Sequence, residues 1–158
     1  MNKTINISDM KVSNDASDIL ITYSLGSCLG LSLYDPVAHV GVLLHCLLPL
    51  STIDLARAKE NPYMFTDTGV SAALEAMFKF GARRGNIVAK VAGCGSPLSS
   101  TPAFNIGERN FTVTRKVLWK NDILIAGQDV GGSTARTMIL RMETGKTFIK
   151  SAGTEVEL

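Results

Sequence analysis

A cysteine in a glycine-serine turn is the feature of this sequence with the clearest chemical potential. Cys28 follows Gly26 and Ser27 directly after an apolar, β-branched stretch of chain. A thiol becomes a strong nucleophile at neutral pH when a neighbouring base takes its proton. The whole chain contains two histidines, His39 and His45, so composition alone nearly fixes the candidates for that base.

The apolar segment 39–48 predicts a β-strand, and the strand period decides which side chains can meet. Side chains alternate between the two faces of a strand, so His45 shares a face with Leu43 while Cys46 points the other way. Cys46 therefore cannot be the thiol that His45 activates, and we interpret it as a small buried apolar side chain. His39 lies about 20 Å from His45 along the same face, beside a predicted turn, and we expect it to be exposed.

Cys28 and its neighbours fit both a catalytic and a structural interpretation. A turn that presents the backbone N–H groups of Ser27 and Cys28 exposes the sulfur and offers hydrogen-bond donors to an oxyanion. Thr22 is either an ordinary β-branched strand residue or the group that accepts a hydrogen bond from His45 and fixes its tautomer. Because a cysteine after Gly-Ser is more often structural than catalytic, the turn alone leaves both interpretations open.

Two other glycine-containing segments and a candidate zinc site are weaker hypotheses. Gly93-Cys94-Gly95 and Asp129-Val130-Gly131-Gly132 each follow a predicted strand, but neither matches a phosphate-binding glycine motif. We interpret them as places where backbones approach closely at the wall of a cleft. Zinc ligands would have to come from Cys28, His45, Cys46 and Cys94. The opposed faces of His45 and Cys46 make a shared site awkward, so a metal-free thiol site without any cofactor is the preferred hypothesis.

Length and composition predict a single globular domain over residues 1–158. The chain is 46% hydrophobic and 19% charged, which is an ordinary, rather apolar composition. A formal net charge of +2 disfavours a nucleic-acid-binding protein. No apolar run approaches the ~20 residues of a membrane span, and the N-terminus lacks the apolar core of a signal peptide. Three cysteines without CxxC spacing indicate reduced thiols. We therefore expect a soluble, cytoplasmic protein.

The elements that must position these side chains follow the order β-β-β-β-α-β-α-β-β-β. Strands are predicted at 4–12, 18–23, 29–34, 39–48, 86–92, 122–128, 138–142 and 147–151, and helices at 68–80 and 106–120. Consecutive strands favour antiparallel pairing, and two helices can cover only part of the sheet surface. We therefore expect an α+β fold in which sheets pack together with helices on one side.

Sequence signals at the helix ends predict how both helices begin. Asp67 or Thr68 is expected to cap the first helix, and Asn105 with Glu108 resembles a capping box at the start of the second. Gly81 stands where a glycine is favoured after a helix end. The inner face of the second helix is predicted to carry Ile106, Asn110, Val113, Val117 and Leu118.

Four motifs spread over nearly the whole chain carry a family resemblance. They are Thr22-x-x-Leu25-Gly26-Ser27-Cys28, His45-x-x-Leu48-Pro49, Asn105-Ile106-Gly107-x-Arg109-Asn110 and Asp129-x-Gly131-Gly132-x-x-x-Arg136. In order and spacing they resemble the CheD family, the chemoreceptor glutamine deamidases of bacterial and archaeal chemotaxis. The resemblance implies a cysteine-hydrolase site in which Cys28 is the nucleophile, His45 the general base and acid, and Thr22 the residue that orients His45.

The resemblance also carries expectations about fold, substrate and partners. It implies a layered α-β-β sandwich, here with mostly antiparallel sheets and two main helices. The family's substrate is a glutamine side chain on the helical cytoplasmic part of methyl-accepting chemotaxis receptors, and some members also hydrolyse receptor glutamyl methyl esters. In many species a partner phosphatase, CheC, binds the enzyme. The alternative function is a non-catalytic adaptor that binds the receptor or a CheC-like phosphatase.

Three positions depart from the usual family pattern. Gly93-Cys94-Gly95 stands where Gly-Gly-Ala is common, Pro62 precedes Tyr63 where an arginine is common, and Ser24 occupies a position that is often glycine or leucine. None of these positions belongs to the proposed triad. The departures therefore bear on substrate choice and partner binding more than on the chemistry.

Overall fold

Two five-stranded sheets make up most of the structure. The computed structural model describes residues 1–98 and 104–158. The strands are β1 (Asn2–Ile5), β2 (Asp9–Ser13), β3 (Ile19–Leu25), β4 (Leu29–Asp35), β5 (Val40–Cys46), β6 (Val88–Gly93), β7 (Ile125–Val130), β8 (Arg136–Arg141), β9 (Lys146–Ser151) and β10 (Thr154–Glu157). The helices are α1 (Leu55–Glu60), α2 (Thr66–Lys79) and α3 (Ile106–Lys120), with short 3-10 turns at Ser51–Ile53, Pro62–Met64 and Arg84–Asn86.

The order of the strands explains how one chain builds two layers. The first sheet has the order β1-β3-β8-β9-β10 and the second the order β2-β5-β4-β6-β7. Pairs β1–β3 and β6–β7 are parallel, while the remaining pairs in the described chain are antiparallel. The predicted α+β architecture with mostly antiparallel sheets and two main helices is confirmed.

Two cores lie on the two faces of the second sheet, as the alternation of side chains along a strand requires. The core between the sheets contains Leu20, Leu25, Cys28, Leu43, Met138, Leu140 and Ile149. The core between the second sheet and the helices contains Leu29, Leu31, Leu44, Cys46, Val70, Leu74, Met77 and Leu118. Leu43 and Leu44 are adjacent in β5 and belong to different cores, so the predicted strand period holds there. No helix in the described chain is long and apolar enough to span a bilayer.

The N-terminal segment differs from its prediction as one strand over residues 4–12. It forms β1 and β2, which belong to different sheets. The break falls at Ser8, whose φ of 62° lies in the left-handed region and turns the chain from one layer to the other. Helix α1 and strand β10 were also absent from the predicted order, because each is short and has little apolar periodicity of its own.

Helix α2 begins two residues earlier than predicted and is not capped as expected. No cap hydrogen bond from a side chain is present at its start within the described residues. The Asp67 carboxylate instead accepts hydrogen bonds from the Ser51 backbone N–H at 2.9 Å and from the Ser51 hydroxyl at 2.7 Å. Asp67, which the sequence predicts as a helix cap, therefore makes a tertiary contact with Ser51 instead. The predicted glycine after the helix is confirmed, since Gly81 has a φ of 96°.

Helix α3 has the predicted bounds, but its start and its inner face differ from the prediction. Asn105 adopts a left-handed conformation with φ 45° and, among the described residues, its side chain makes no cap hydrogen bond. The fully buried positions are Gly107, Asn110, Thr114 and Leu118, whereas Ile106, Val113 and Val117 are half-buried. The buried face of the helix therefore carries small and polar residues. Its first turn packs directly on the backbone of Cys94 and Gly95, where a Cβ at Gly107 would overlap the Gly95 carbonyl oxygen.

This close approach predicts that Gly107→Ala destabilises the protein. An added Cβ would lie 2.6 Å from the Cys94 carbonyl carbon, and backbone cannot move aside as a flexible side chain can. We expect a loss of about 1–3 kcal/mol in the free energy of unfolding, typical of an overpacked site, measured by guanidinium denaturation followed by circular dichroism. Gly85→Ala is the matched control, since its Cβ would meet no described heavy atom within 4 Å beyond its chain neighbours. Equal stability of the two variants would contradict this packing.

Candidate active site

The nucleophile candidate lies where the chain crosses from the first sheet to the second. Strand β3 ends in a bulge between Thr22 and Leu25, with Ser24 at a φ of 61°. The Gly26 N–H donates to the Ser24 carbonyl at 3.0 Å and closes a tight turn. Cys28 follows directly before β4. The residue with a left-handed backbone conformation in this turn is therefore Ser24, whereas the sequence predicted that Gly26 makes the tight turn possible.

A short hydrogen bond joins Thr22 in the first sheet to His45 in the second. Thr22 Oγ1 lies 2.6 Å from His45 Nδ1 and 2.8 Å from the carbonyl oxygen of Ile5. A hydroxyl has one proton, and a carbonyl oxygen can only accept. The Thr22 proton therefore goes to Ile5, so Nδ1 must carry the proton that it shares with Thr22. The neutral imidazole is left with an unprotonated Nε2, which is the form that can act as a base.

Cys28 and His45 lie on the same face of the second sheet. In the β4–β5 ladder Gly30 stands opposite His45, and Cys28 precedes Gly30 by two residues. This makes Cys28 the diagonal neighbour of His45, a relation in which side chains can reach each other. Both belong to the layer between the sheets: His45 is fully buried and Cys28 is 7% exposed. His45 Nε2 is buried and has no hydrogen-bond partner among the described residues.

The other two cysteines belong to the helix-side core and not to the core between the sheets that contains Cys28. Cys46 packs in the helix-side core, where a Cβ added to Gly69 of α2 would lie 2.6 Å from its sulfur. The Cys94 thiol also belongs to the helix-side core. His39 is exposed at the turn before β5, with its Nδ1 3.4 Å from the Tyr34 hydroxyl. In the described chain, no group of three or more His, Cys, Asp or Glu side chains is arranged to hold a metal ion.

Burial sets the protonation states of the two reactive groups. Loss of hydration raises the pKa of the Cys28 thiol to about 11 and lowers the pKa of the His45 imidazole to about 4. At neutral pH the resting site therefore holds a neutral thiol and a neutral imidazole. Proton transfer from sulfur to nitrogen is uphill before substrate binds, so the thiolate should form as the bond to the substrate forms.

A cavity of about 280 Å³ opens beside the turn that carries Cys28. Its lining includes Ser27, Cys94, Gly95, Gly131, Gly132 and the first residues of α3. A larger depression of about 510 Å³ involves Tyr23 and Lys150 on the outer face of the first sheet, opposite the face that carries Thr22. The smaller cavity is the better candidate for the reacting group, because Ser27 is adjacent to the thiol and its peptide belongs to the proposed oxyanion site.

Main-chain hydrogen bonds fix the wall of this cavity. The Cys94 N–H donates to the Cys28 carbonyl at 2.8 Å, and the Gly95 N–H donates to the Gly26 carbonyl at 2.8 Å. A Cβ on Gly95 would lie 2.9 Å from the Gly132 carbonyl oxygen, so the two glycine segments do approach as closely as predicted. Buried Arg136 binds the carbonyl oxygens of Asp129 and Gly131 and stabilises the far side of the wall.

Two groups near the site were not assigned a role from the sequence. The Ile5 carbonyl, which determines the direction of the Thr22 hydroxyl, is a backbone atom of a separate strand and leaves no side-chain signal. Asn110 is fully buried and donates to the carbonyls of Ser27 and Leu47. A polar residue on the predicted inner face of α3 was the available signal for Asn110, but its partners depend on how the helix docks.

Comparison with known proteins places the chain in a family. A family model described as CheD chemotactic sensory transduction matches residues 47–151. A probable chemoreceptor glutamine deamidase CheD 1 from Syntrophus aciditrophicus (strain SB) is 46% identical over 149 residues, covering 94% of this chain and 93% of that protein. A probable chemoreceptor glutamine deamidase CheD from Solibacter usitatus (strain Ellin6076) is 44% identical over 154 residues, covering 98% and 91%.

A solved structure shares the fold at much lower identity. The crystal structure of Bacillus licheniformis hypothetical protein YfiH aligns with a TM-score of 0.51 and 14% identity, covering 79% of this chain and 51% of that one. This likeness concerns the arrangement of strands and helices alone. The family follows from the near full-length sequence identity, and this chain belongs to the CheD family.

Proposed function

We propose that this protein is a glutamine deamidase that acts on methyl-accepting chemotaxis receptors in the cytoplasm through the triad Cys28, His45 and Thr22. The observation that carries the proposal is the contact of Thr22 with His45, which leaves Nε2 unprotonated on the face that Cys28 shares. The names of the relatives, chemoreceptor glutamine deamidases, supply the substrate class. No metal or other cofactor is needed by this chemistry.

The reaction begins with proton transfer inside the buried pair. His45 Nε2 takes the Cys28 proton as the sulfur attacks the carboxamide carbon of a receptor glutamine. The carbonyl oxygen becomes an oxyanion, and the backbone N–H groups of Ser27 and Cys28 donate hydrogen bonds to it, each worth ~3 kcal/mol in comparable sites. Protonated His45 then gives its proton to the departing nitrogen. Ammonia leaves, and a thioester joins Cys28 to the substrate.

Water completes the cycle. Neutral His45 takes a proton from a water molecule, which attacks the thioester carbon, and the proton returns to the Cys28 sulfur as the C–S bond breaks. The sum is glutamine plus water giving glutamate plus ammonia. A receptor glutamyl methyl ester can follow the same path with methanol as the leaving group. Deamidation adds a negative charge to the receptor helix. Besides the receptor, we propose a CheC-like phosphatase as a second binding partner.

The proposal predicts that Cys28→Ala abolishes ammonia release from purified receptor. The variant lacks the sulfur that forms the thioester, so deamidated receptor peptides should fall to background in mass spectrometry. Cys46→Ala is the matched control, since it truncates a buried cysteine on the opposite face of the second sheet and should remain active. Full activity of Cys28→Ala would overturn the mechanism. Normal chemotaxis with receptor binding but without turnover would favour the adaptor function instead.

The orienting role of Thr22 predicts a kinetic defect in Thr22→Val. Valine keeps the shape but offers no acceptor to Nδ1–H, so the imidazole is free to rotate or to adopt the wrong tautomer. We expect kcat to fall about tenfold or more, because a misoriented base loses part of the roughly 10²–10⁴-fold that general acid–base catalysis contributes. Thr147→Val is the control, because Thr147 makes a comparable buried hydroxyl contact with Ser32 at 2.7 Å between the same two sheets. Equal kcat values in the two variants would contradict the assigned role.

The lowered pKa of His45 predicts an unusual acid limit for activity. His45 must be neutral to act as a base, so activity is present above its pKa and is lost as the pH falls through about 4. The pH profile of kcat/KM for receptor deamidation should therefore stay high at pH 6 and bend near 4, below the usual histidine value. His39→Asn should show the same profile, since the other histidine is exposed. An inflection near 6.5 would argue against a desolvated base.

A further inference from the structure

We propose that Asn110 is a positioning residue that holds the nucleophile turn and the chain after His45 in a fixed relation. The inference deepens the proposed deamidase function and rests on it. Asn110 lies on the inner face of α3 and is fully buried. Among the described residues its side chain hydrogen-bonds two backbone carbonyls and one hydroxyl and neither reactive group, so it would act through the backbone rather than on the substrate.

The Asn110 amide uses its hydrogen-bonding groups on three different segments. Its Nδ2 donates to the Ser27 carbonyl at 2.9 Å and to the Leu47 carbonyl at 3.3 Å. Its Oδ1 accepts from the Thr66 hydroxyl at 3.0 Å. One planar amide group therefore joins the turn before Cys28, the chain after β5 and the start of α2.

The contact with Ser27 also fixes the direction of the Cys28 N–H. Because a trans peptide unit is planar, its C=O and N–H point in opposite directions and turn together. When Asn110 holds the Ser27 carbonyl, it therefore holds the Cys28 N–H, which is a proposed oxyanion donor. The next peptide is held independently, since the Cys28 carbonyl accepts from the Cys94 N–H at 2.8 Å. The backbone is thus anchored on both sides of the nucleophile.

The contact with Leu47 anchors the backbone next to the proposed base, His45. Leu47 follows His45 by two residues, and its N–H donates to the Met64 carbonyl at 3.0 Å. Asn110 binds the Leu47 carbonyl, so the chain that leaves β5 is held at both polar groups of this residue. The Cys28 segment and the His45 segment are already paired in the β4–β5 ladder, and Asn110 adds one further anchor shared by both just beyond the end of that ladder.

The expected size of the effect follows from the sensitivity of catalysis to geometry. Displacing a reacting group by about 1 Å can cost on the order of a hundredfold in rate. Loss of Asn110 would release the Ser27 and Leu47 carbonyls together, so the Ser27–Cys28 peptide and the chain after His45 could shift while the β4–β5 ladder persists. Substrate contacts elsewhere in the cavity remain, so the defect should fall on kcat and leave KM nearly unchanged.

The experiment compares Asn110→Ala with Thr114→Val in receptor deamidation assays. Thr114 lies one turn further along α3, is equally buried, and donates to the Asn110 backbone carbonyl at 2.8 Å, so its loss perturbs the same helix without freeing Ser27 or Leu47. We expect Asn110→Ala to lower kcat about 10- to 100-fold with KM within threefold, and Thr114→Val to change kcat less than threefold. Rates are compared at a temperature where circular dichroism shows all variants folded.

A second measurement separates this inference from the proposed function. Crystal structures of both variants should show the Ser27–Cys28 peptide turned or displaced in Asn110→Ala and unchanged in Thr114→Val. If wild-type protein releases no ammonia while Asn110→Ala moves the peptide, the deamidase proposal fails and the positioning role stands. Equal kcat in the two variants, or an unmoved peptide in Asn110→Ala, overturns the positioning role. Asn110→Asp, which has the same shape but no N–H donor for the Ser27 and Leu47 carbonyls, replaces Asn110→Ala in both comparisons if the alanine variant does not fold.

Discussion

The single proton of the Thr22 hydroxyl is the constraint on which the rest of the site depends. It can be donated to Ile5 or to His45, but not to both, and the Ile5 carbonyl can only accept it. The tautomer of His45 is therefore decided by the pairing of β1 beside β3, which places Ile5 opposite Thr22. An N-terminal strand far from the thiol in sequence thus determines which imidazole nitrogen can act as a base.

Burial of the Cys28–His45 pair lowers the stability of the fold and at the same time protects the reactive thiol. Among the described residues His45 Nε2 has no hydrogen-bond partner, and a buried polar atom left unpaired costs about 1–3 kcal/mol of stability. The same burial raises the pKa of the Cys28 thiol and keeps it protonated at rest, which limits its reaction with oxidants. Inter-sheet packing maintains this burial: a Cβ on Gly30 would lie 2.6 Å from Leu25 Cδ1, so the sheets approach closely beside the pair.

The sequence predicted the structure correctly where one local period decides the outcome. The alternation along β5 put His45 and Cys46 on opposite faces, and the bounds of α3 followed from its own apolar pattern and flanking residues. The prediction failed where a residue has both a local and a distant partner available. Asp67 is not the cap of α2, because the helix already begins at Thr66 and the Asp67 carboxylate binds the distant Ser51 through two hydrogen bonds. Asn105 is left-handed because α3 must approach the Cys94–Gly95 backbone, a contact that nothing nearby in sequence encodes.

The backbone and the side chain of residue 94 have separate roles, which explains why a cysteine is tolerated there. The Cys94 N–H donates to the Cys28 carbonyl, while the Cys94 side chain belongs to the helix-side core. The position demands a left-handed conformation, with φ 51°, which costs a non-glycine residue roughly 1–2 kcal/mol. Burial of the thiol in the helix-side core offsets part of that cost. What the site requires from residue 94 is its backbone geometry, so a departure from the usual Gly-Gly-Ala pattern can alter the cavity wall without altering the triad.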